Sequence, residues 1–196
     1  MIIHAEWTSV VESLSTVGWF VAAEAIDQSV ADLLVPPEQI QWRLLSDEGV
    51  ALQHGYGAYL PFRDASQAVR DVGSELIVRT NRAANDRGLP GIPPFNEVTW
   101  TRYPLGMGRI TRHRDRSAYR GIVAVATLLG AATFRVYAHG DVIAEYETAP
   151  GHLVLLRGTG WPDLEAPRPS HEVDPPVGRE RMIMTLRSNA SGAGAG

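Results

Sequence analysis

The stretch Arg181-Met182-Ile183-Met184-Thr185-Leu186-Arg187 has the pattern of a β-strand with two different faces. Because side chains alternate along a strand, one face holds Met182, Met184 and Leu186, and the other holds Arg181, Ile183, Thr185 and Arg187. The first face is typical of a hydrophobic core. The second carries an arginine at each end, and guanidiniums in a closed cavity are costly unless they meet an anion. The strand therefore indicates either a solvated sheet face or an anion-binding cavity.

Short β-type runs separated by turn signals such as Leu129-Gly130 fill the chain after Phe95. These runs are Val98–Tyr103, Arg109–Asp115, Ile122–Leu129, Thr133–Tyr137, Val142–Tyr146, His152–Leu156, His171–Val173 and Met182–Leu186. Before Phe95 we predict helices near Ala25–Leu34 and at Ser66–Asn85, and strands at Gly18–Ala22, Gln41–Leu45 and Val50–Tyr59, with Asp47-Glu48-Gly49 as the turn between the last two. The order predicts an α+β chain that is mostly β, with N-terminal helices and a double-sheet β fold.

Length and composition exclude several classes of protein. The 196 residues suit one domain, which we place at 1–190, followed by a flexible tail at 191–196. Cysteine is absent, so a metal site would need histidine and carboxylate ligands. No apolar run has the length of a membrane span and the N-terminus lacks a signal-peptide pattern, so we expect a cytoplasmic protein without membrane contact. The net charge of −4, from 22 acids and 18 basic residues that are all arginine, argues against a cationic nucleic-acid coat protein.

Three His-x-Asp/Glu pairs are candidate metal ligands, since residues i and i+2 of a strand point to the same side. The pair at His4 lies at a terminus, and the pair at His139 has the pattern of a hairpin turn. His113 and Asp115 end a predicted strand, and His171 further along could be a third ligand. Two histidines and one carboxylate leave three positions open on an octahedral ion, as in non-haem Fe(II) oxygenases. On its own, His171 could equally be a loop histidine with a structural partner.

The order of these motifs resembles that of the Fe(II)/2-oxoglutarate-dependent dioxygenases, and most closely their AlkB-like branch. Residues 95–98 followed by Thr101–Pro104 are similar to the strand that precedes H-x-D in that branch, and Arg181–Arg187 is similar to its R-x-N-x-T-x-R strand. The resemblance runs from about Gln53 to Asn189. The branch usually has asparagine where this chain has Thr101 and Ile183, so part of the cosubstrate contact must differ.

The resemblance implies a double-stranded β-helix, or jelly-roll, core over 95–190, and an N-terminal part, 1–94, with helices and a substrate lid. It implies an enzyme that uses Fe(II), 2-oxoglutarate and O2 to hydroxylate a substrate C–H bond, releasing succinate and CO2. On an N-methyl group the same reaction is oxidative dealkylation. The implied catalytic metal ligands are His113, Asp115 and His171. The implied cosubstrate residues are Tyr103, Thr101, Thr185, Arg181 at the distal carboxylate, and Arg187 near the keto-acid end and the metal carboxylate.

The substrate is the least determined part of the prediction. Trp42, Tyr56 and Tyr59 could stack on a nucleobase, or they could be ordinary sheet aromatics. Arg116 follows the His-x-Asp strand at a possible cavity rim, where we expect arginines to favour a substrate with an anionic group. A small-molecule tailoring hydroxylase with the same core is the alternative to a nucleobase-type substrate, and no obligate protein partner is evident. A non-catalytic double-sheet binding module and a metal-dependent isomerase or hydrolase also remain open.

Overall fold

The computed structural model describes residues 3–45, 53–161 and 168–192. The helices are α1 (Trp7–Thr16), α2 (Gln28–Ala31) and α3 (Gln67–Asp86), with a 3-10 turn at Phe62–Asp64. The strands are β1 (Trp19–Ala22), β2 (Arg43–Leu45), β3 (Gln53–Pro61), β4 (Glu97–Tyr103), β5 (Arg109–His113), β6 (Tyr119–Ala138), β7 (Asp141–Thr148), β8 (Leu153–Arg157), β9 (Ser170–Val173) and β10 (Val177–Asn189). The predicted turn at Asp47–Gly49 and the tail residues 193–196 lie outside the described residues.

Six strands close into a barrel. Each pairs with the next in the order β6, β10, β4, β3, β5 and β9, and β9 returns to pair with β6. Strands β8 and β1 extend the sheet beyond β6, β7 pairs with β6, and β2 pairs with β3. All pairings are antiparallel. This architecture confirms the predicted mostly β fold with a jelly-roll core.

The predicted break at Leu129-Gly130 is wrong, because β6 is one strand of 20 residues. Gly130 has φ +67°, a conformation that favours glycine, and a Cβ there would lie 2.2 Å from the backbone oxygen of Glu180. The register with β10 shifts around this point, so Gly130 bends the strand without ending it. The first half of β6 pairs with β8 and β10, and the second half pairs with β7 and β9. One strand thus serves both sheets.

The helices cover the outer face of the sheet. Helix α3 begins after the N-cap Ser66, whose hydroxyl accepts from the Val69 amide, close to the prediction. The sequence reading missed α1, although its residues Trp7, Val10, Val11 and Leu14 have helical spacing and are all buried. The helix predicted at Ala25–Leu34 is only the single turn α2. The Leu34 carbonyl accepts from Trp100 Nε1 (2.7 Å), so that segment bonds to the sheet rather than continuing a helix. Among the described residues, no helix is both long and apolar enough to cross a membrane.

The two faces of β10 lie in different environments, as its alternation predicts. Met184 and Leu186 belong to the main core between the helices and the sheet, and Met182 packs against it. Arg181, Ile183, Thr185 and Arg187 line a cavity inside the barrel. A second apolar cluster, with Val123, Phe134, Val154 and Leu156 among its members, forms another wall of that cavity. The closed barrel therefore places two arginines inside the protein.

Candidate metal centre and the cavity beneath it

His113 and His171 face each other across two antiparallel strands. They are register partners in β5 and β9, and their ring centroids are 4.4 Å apart. Asp115 lies two residues beyond the end of β5, and the Arg168 side chain donates to its backbone oxygen (2.6 Å). One potential ligand atom from each of His113, Asp115 and His171 lies within 4.8 Å of the other two. The structure thus brings the three residues predicted as metal ligands together.

The side-chain atoms of this cluster fit a bound cation. The Nδ1 atom of His113 lies 2.8 Å from the Thr111 carbonyl, and donation to that oxygen leaves the Nε2 lone pair available to a metal. Asp115 Oδ2 is buried and has no hydrogen-bond partner. A carboxylate oxygen is an acceptor, so a buried one without a donor is costly unless a cation meets it. Two imidazoles and one carboxylate suit Fe(II), with positions left open for other ligands.

Burial lowers the pKa of His171 to about 4. Desolvation is the largest cause, and nearby Asp115 partly opposes it by raising the pKa. The imidazole is therefore neutral at pH 7, which is the form that binds a metal.

Arg181 lies in the same cavity and is almost fully buried, with 2% of its surface exposed. Its Nη2 donates to the hydroxyls of Thr127 and Thr148, both at 3.1 Å, while its Nε and Nη1 have no partner. Desolvation lowers its pKa to about 10, so the guanidinium keeps its charge at pH 7. No carboxylate of the described residues pairs with this charge. The cavity thus presents two free N–H groups of a buried cation to a ligand, the geometry that a carboxylate would complete.

Three more of the predicted cosubstrate residues line this cavity: Tyr103, Thr101 and Thr185. The Tyr103 ring lies 6.0 Å from the Arg181 guanidinium carbon, and Gln53 Nε2 donates to its hydroxyl (3.0 Å). Burial raises the pKa of Tyr103, which keeps the phenol neutral. Its hydroxyl proton is therefore available to a ligand in the cavity. The cavity has a volume of about 170 Å³, room for roughly ten water-sized groups and so for a small dicarboxylate.

Arg187 also lines the cavity, but its guanidinium is bound by the protein itself. Its Nε donates to the buried carboxylate of Glu97, and its Nη2 donates to the Thr99 hydroxyl (2.5 Å). It also stacks over the Tyr119 ring at 4.5 Å. The Asn189 side chain donates to the other Glu97 oxygen (3.0 Å). Arg187 therefore has its counter-ion within the protein, in contrast to Arg181.

The predicted substrate residues are divided by the two faces of β3. Tyr59 lies on the same side of the strand as Gln53 and lines a wide cleft above the metal cluster, as does Arg116. Tyr56 has the opposite parity and is 44% exposed. Trp42 packs on the main core, with the Arg102 guanidinium 5.4 Å from its ring. The structure thus brings Tyr59 and Arg116 to the cleft, and it does not bring Trp42 or Tyr56 there.

Sequence reasoning missed the residues that hold the two arginines. Thr127 and Thr148 orient Arg181, and Glu97 neutralises Arg187. A lone threonine in a strand carries no local signal for such a role. Glu97 could have been noticed, because an acidic residue at the start of a buried strand needs a partner.

Comparisons with known proteins bear on the fold. No protein-family model matches this chain, and no curated protein matches its sequence. Among solved structures, a prolyl-4-hydroxylase from Pseudomonas putida is similar with a TM-score of 0.64, 21% identity, and coverage of 93% of this chain and 98% of that one. A 2OG-Fe(II) oxygenase family oxidoreductase from Burkholderia pseudomallei has a TM-score of 0.61, 14% identity, and coverage of 98% and 95%. The protein OsALKBH1 has a TM-score of 0.58, 13% identity, and coverage of 88% and 97%. The chain therefore has the fold of the 2OG-Fe(II) oxygenases, which confirms at the level of the fold the resemblance indicated by its motifs.

Proposed function

We propose that this protein is an Fe(II)- and 2-oxoglutarate-dependent dioxygenase that hydroxylates a substrate C–H bond and releases succinate and CO2. One observation carries the proposal: a His-Asp-His cluster and a buried arginine without an acidic partner lie in the same barrel cavity. The first needs a cation and the second needs an anion, and a metal-chelating dicarboxylate would satisfy both. When bound, Fe(II) with 2-oxoglutarate supplies O2-dependent oxidation of the substrate.

Each residue of the cavity has a defined task in this proposal. His113, Asp115 and His171 would hold Fe(II), with Thr111 fixing the tautomer of His113. Arg181 would bind the distal carboxylate through Nε and Nη1, the two groups that have no partner.

Other residues prepare the cavity. Thr127 and Thr148 hold the Arg181 fork in one orientation, so little side-chain entropy is lost on binding. The valine and leucine wall of Val123, Val154 and Leu156 excludes water, which strengthens the ion pair.

The type of hydroxylation follows from the substrate. On an N-methyl group the product collapses with loss of the methyl, so we include AlkB-like dealkylation as one form of the proposal. The similar structures carry names as different as prolyl-4-hydroxylase and ALKBH1, so the shared fold does not select a substrate class. We also retain two predictions from the sequence as part of the proposal: a single domain with its substrate lid within 1–94, and a cytoplasmic location.

The experiment measures the binding of Fe(II) and 2-oxoglutarate and then the formation of succinate by the same protein. Calorimetry under anaerobic conditions should show one Fe(II) and one 2-oxoglutarate per chain, and admission of O2 should yield succinate. The variant His113→Ala should lose the metal and all succinate formation. His4→Ala serves as the matched control, because His4 belongs to another His-x-Glu pair and its side chain contacts Asp27 instead.

The alternatives give different results. A non-catalytic binding module would bind ligand without forming succinate. A metal-dependent isomerase or hydrolase would convert substrate in the absence of O2. Wild-type rates of succinate formation in His113→Ala would disprove the proposed metal site.

A further inference from the structure

The wide cleft above the metal cluster has an excess of positive charge. Its charged lining residues are Arg43, Arg112, Arg114, Arg116, Arg168, Arg187, Glu97 and Asp115. Among the described residues, six arginines face two carboxylates there, while the other 12 arginines and 16 acids have a net charge of −4. A positive cleft in a negative protein concentrates anions at one place.

Several of these arginines already have a structural task. Arg187 is neutralised by Glu97. Arg168 donates to the backbone of Asp115 (2.6 Å), and Arg112 donates to the Gly140 carbonyl (3.1 Å).

Arg43 and Arg116 are different. Both are exposed, and like Arg114 they have no acidic partner in the described parts of the chain. Within those parts, their guanidiniums lack a counter-ion that would compete with an anionic ligand.

Tyr59 connects these two arginines. It extends from β3 into the cleft, and both Arg43 and Arg116 lie close enough to act on its hydroxyl electrostatically. Desolvation and Glu97 raise the pKa of Tyr59 despite these cations, so the phenol remains a neutral hydrogen-bond donor. Two forked cations and a hydroxyl that line the same cleft are the groups that bind a phosphate or a carboxylate.

We propose that the substrate is a small organic molecule with one phosphate or carboxylate group, which Arg43, Arg116 and Tyr59 bind beside the metal cluster. This inference rests on the proposed oxygenase function and names its substrate class. The anionic group would anchor the substrate in the cleft, leaving another part of the molecule over His113 and Asp115. The cosubstrate would use Arg181, which lines the barrel cavity and not the cleft, so the two anions would not compete for one site.

The distribution of charge favours a single anionic group over a polyanion. A nucleic acid would have to lie along more surface than the cleft, and the described residues outside the cleft include more acids than arginines. Affinity for a polyanion rises with the number of phosphates neutralised by cations, and the cleft offers only a few exposed arginines. A single phosphate or carboxylate needs only the cleft residues Arg43, Tyr59 and Arg116.

The test combines turnover with binding. The anaerobic Fe(II)- and 2-oxoglutarate-loaded protein is titrated with phenyl phosphate, benzoate, the neutral benzyl alcohol and a ten-residue oligothymidylate. We expect both small anions to bind more tightly than benzyl alcohol and the oligonucleotide to gain nothing from its extra phosphates. Whichever small anion binds better identifies the anionic group. In parallel, a panel of metabolites is screened for substrate consumption coupled to succinate formation. Each anionic metabolite is paired with a neutral analogue, and we expect only the anionic members to react.

The double variant Arg43→Gln/Arg116→Gln should weaken binding of both anions by about tenfold or more, with the metal and 2-oxoglutarate affinities unchanged. The control variant Arg82→Gln removes an exposed charge from α3 and should change neither. Equal binding of benzyl alcohol and the anions, or unchanged anion affinity in the double variant, would overturn the inference. If the wild-type protein bound neither Fe(II) nor 2-oxoglutarate, that result would instead overturn the oxygenase proposal.

Discussion

Replacing Arg181 by methionine should improve the stability of the empty protein while destroying its affinity for 2-oxoglutarate. The guanidinium is 2% exposed and pairs with no described carboxylate, so folding transfers an uncompensated charge out of water. Desolvation lowers its pKa from the ordinary value of a guanidinium to about 10, which corresponds to about 3 kcal/mol disfavouring the charged form in the folded state. Methionine has similar length and removes this cost. We therefore expect Arg181→Met to be between equally stable and about 3 kcal/mol more stable.

The effect on ligand binding has the opposite sign. Arg181 offers two unpaired N–H groups, and a hydrogen bond to a charged group contributes about 1.5–3 kcal/mol. Losing both should weaken 2-oxoglutarate binding by about 3–6 kcal/mol, or roughly a hundredfold to ten-thousandfold. Calorimetry on the metal-loaded protein measures the affinity, and urea unfolding of the metal-free protein measures the stability. Arg179→Met on the same strand is the control, because Arg179 is exposed. A destabilised Arg181→Met protein that retained wild-type 2-oxoglutarate affinity would refute the reasoning.

Further predictions concern His171, Gly130 and Glu97. The pKa of His171 is about 4 in the folded state and 6.5 unfolded, so between these values the unfolded state binds more protons. The metal-free protein should therefore lose up to about 3 kcal/mol as pH falls from 6.5 to 4, and urea unfolding of His171→Gln should show a smaller pH dependence. Gly130→Ala should lower the free energy of unfolding by about 2 kcal/mol or more, because the new Cβ would clash with the backbone of β10. Gly88→Ala is the control, because Gly88 has a similar φ of +73° but open space around it. In thermal unfolding, the control should show only the smaller loss that comes from the strained backbone angle. Glu97→Gln should destabilise by about 3 kcal/mol by leaving Arg187 without its ion pair, and the double variant Glu97→Leu/Arg187→Met should recover most of that loss in urea unfolding.

Local patterns predicted the parts of the fold that depend on neighbouring residues. Alternation in β10 correctly assigned its core and cavity faces, and Ser66 correctly placed the start of α3. The sequence could not show whether Gly130 bends a continuous strand or forms a turn between two strands, because Leu129-Gly130 is compatible with both. What decides is the close approach of β10 to Gly130, a contact between residues about fifty positions apart.

The candidate metal site was predictable in composition but not in geometry. The chain contains three His-x-Asp/Glu pairs, and only the pairing of β5 with β9 distinguishes the pair His113 and Asp115 from the other two. That pairing joins residues 58 positions apart in the chain, His113 and His171. For the tyrosines predicted to contact the substrate, the strand spacing itself carried information that the prediction did not use. Tyr56 and Tyr59 look equivalent in sequence, yet an odd spacing along β3 places them on opposite faces of the sheet.

The contrast between Arg181 and Arg187 shows how sheet register separates a structural charge from a binding one. Both arginines have the same parity on β10, and both face the cavity. Their neighbours on β4 differ: Arg187 lies opposite Glu97, whereas Arg181 lies opposite Tyr103. The carboxylate neutralises Arg187 within the protein, while the neutral phenol leaves Arg181 without a counter-ion. A buried cation without a counter-ion among the described residues is retained at a cost to stability, so the register of β10 and β4 points to an anionic ligand at Arg181 independently of any resemblance.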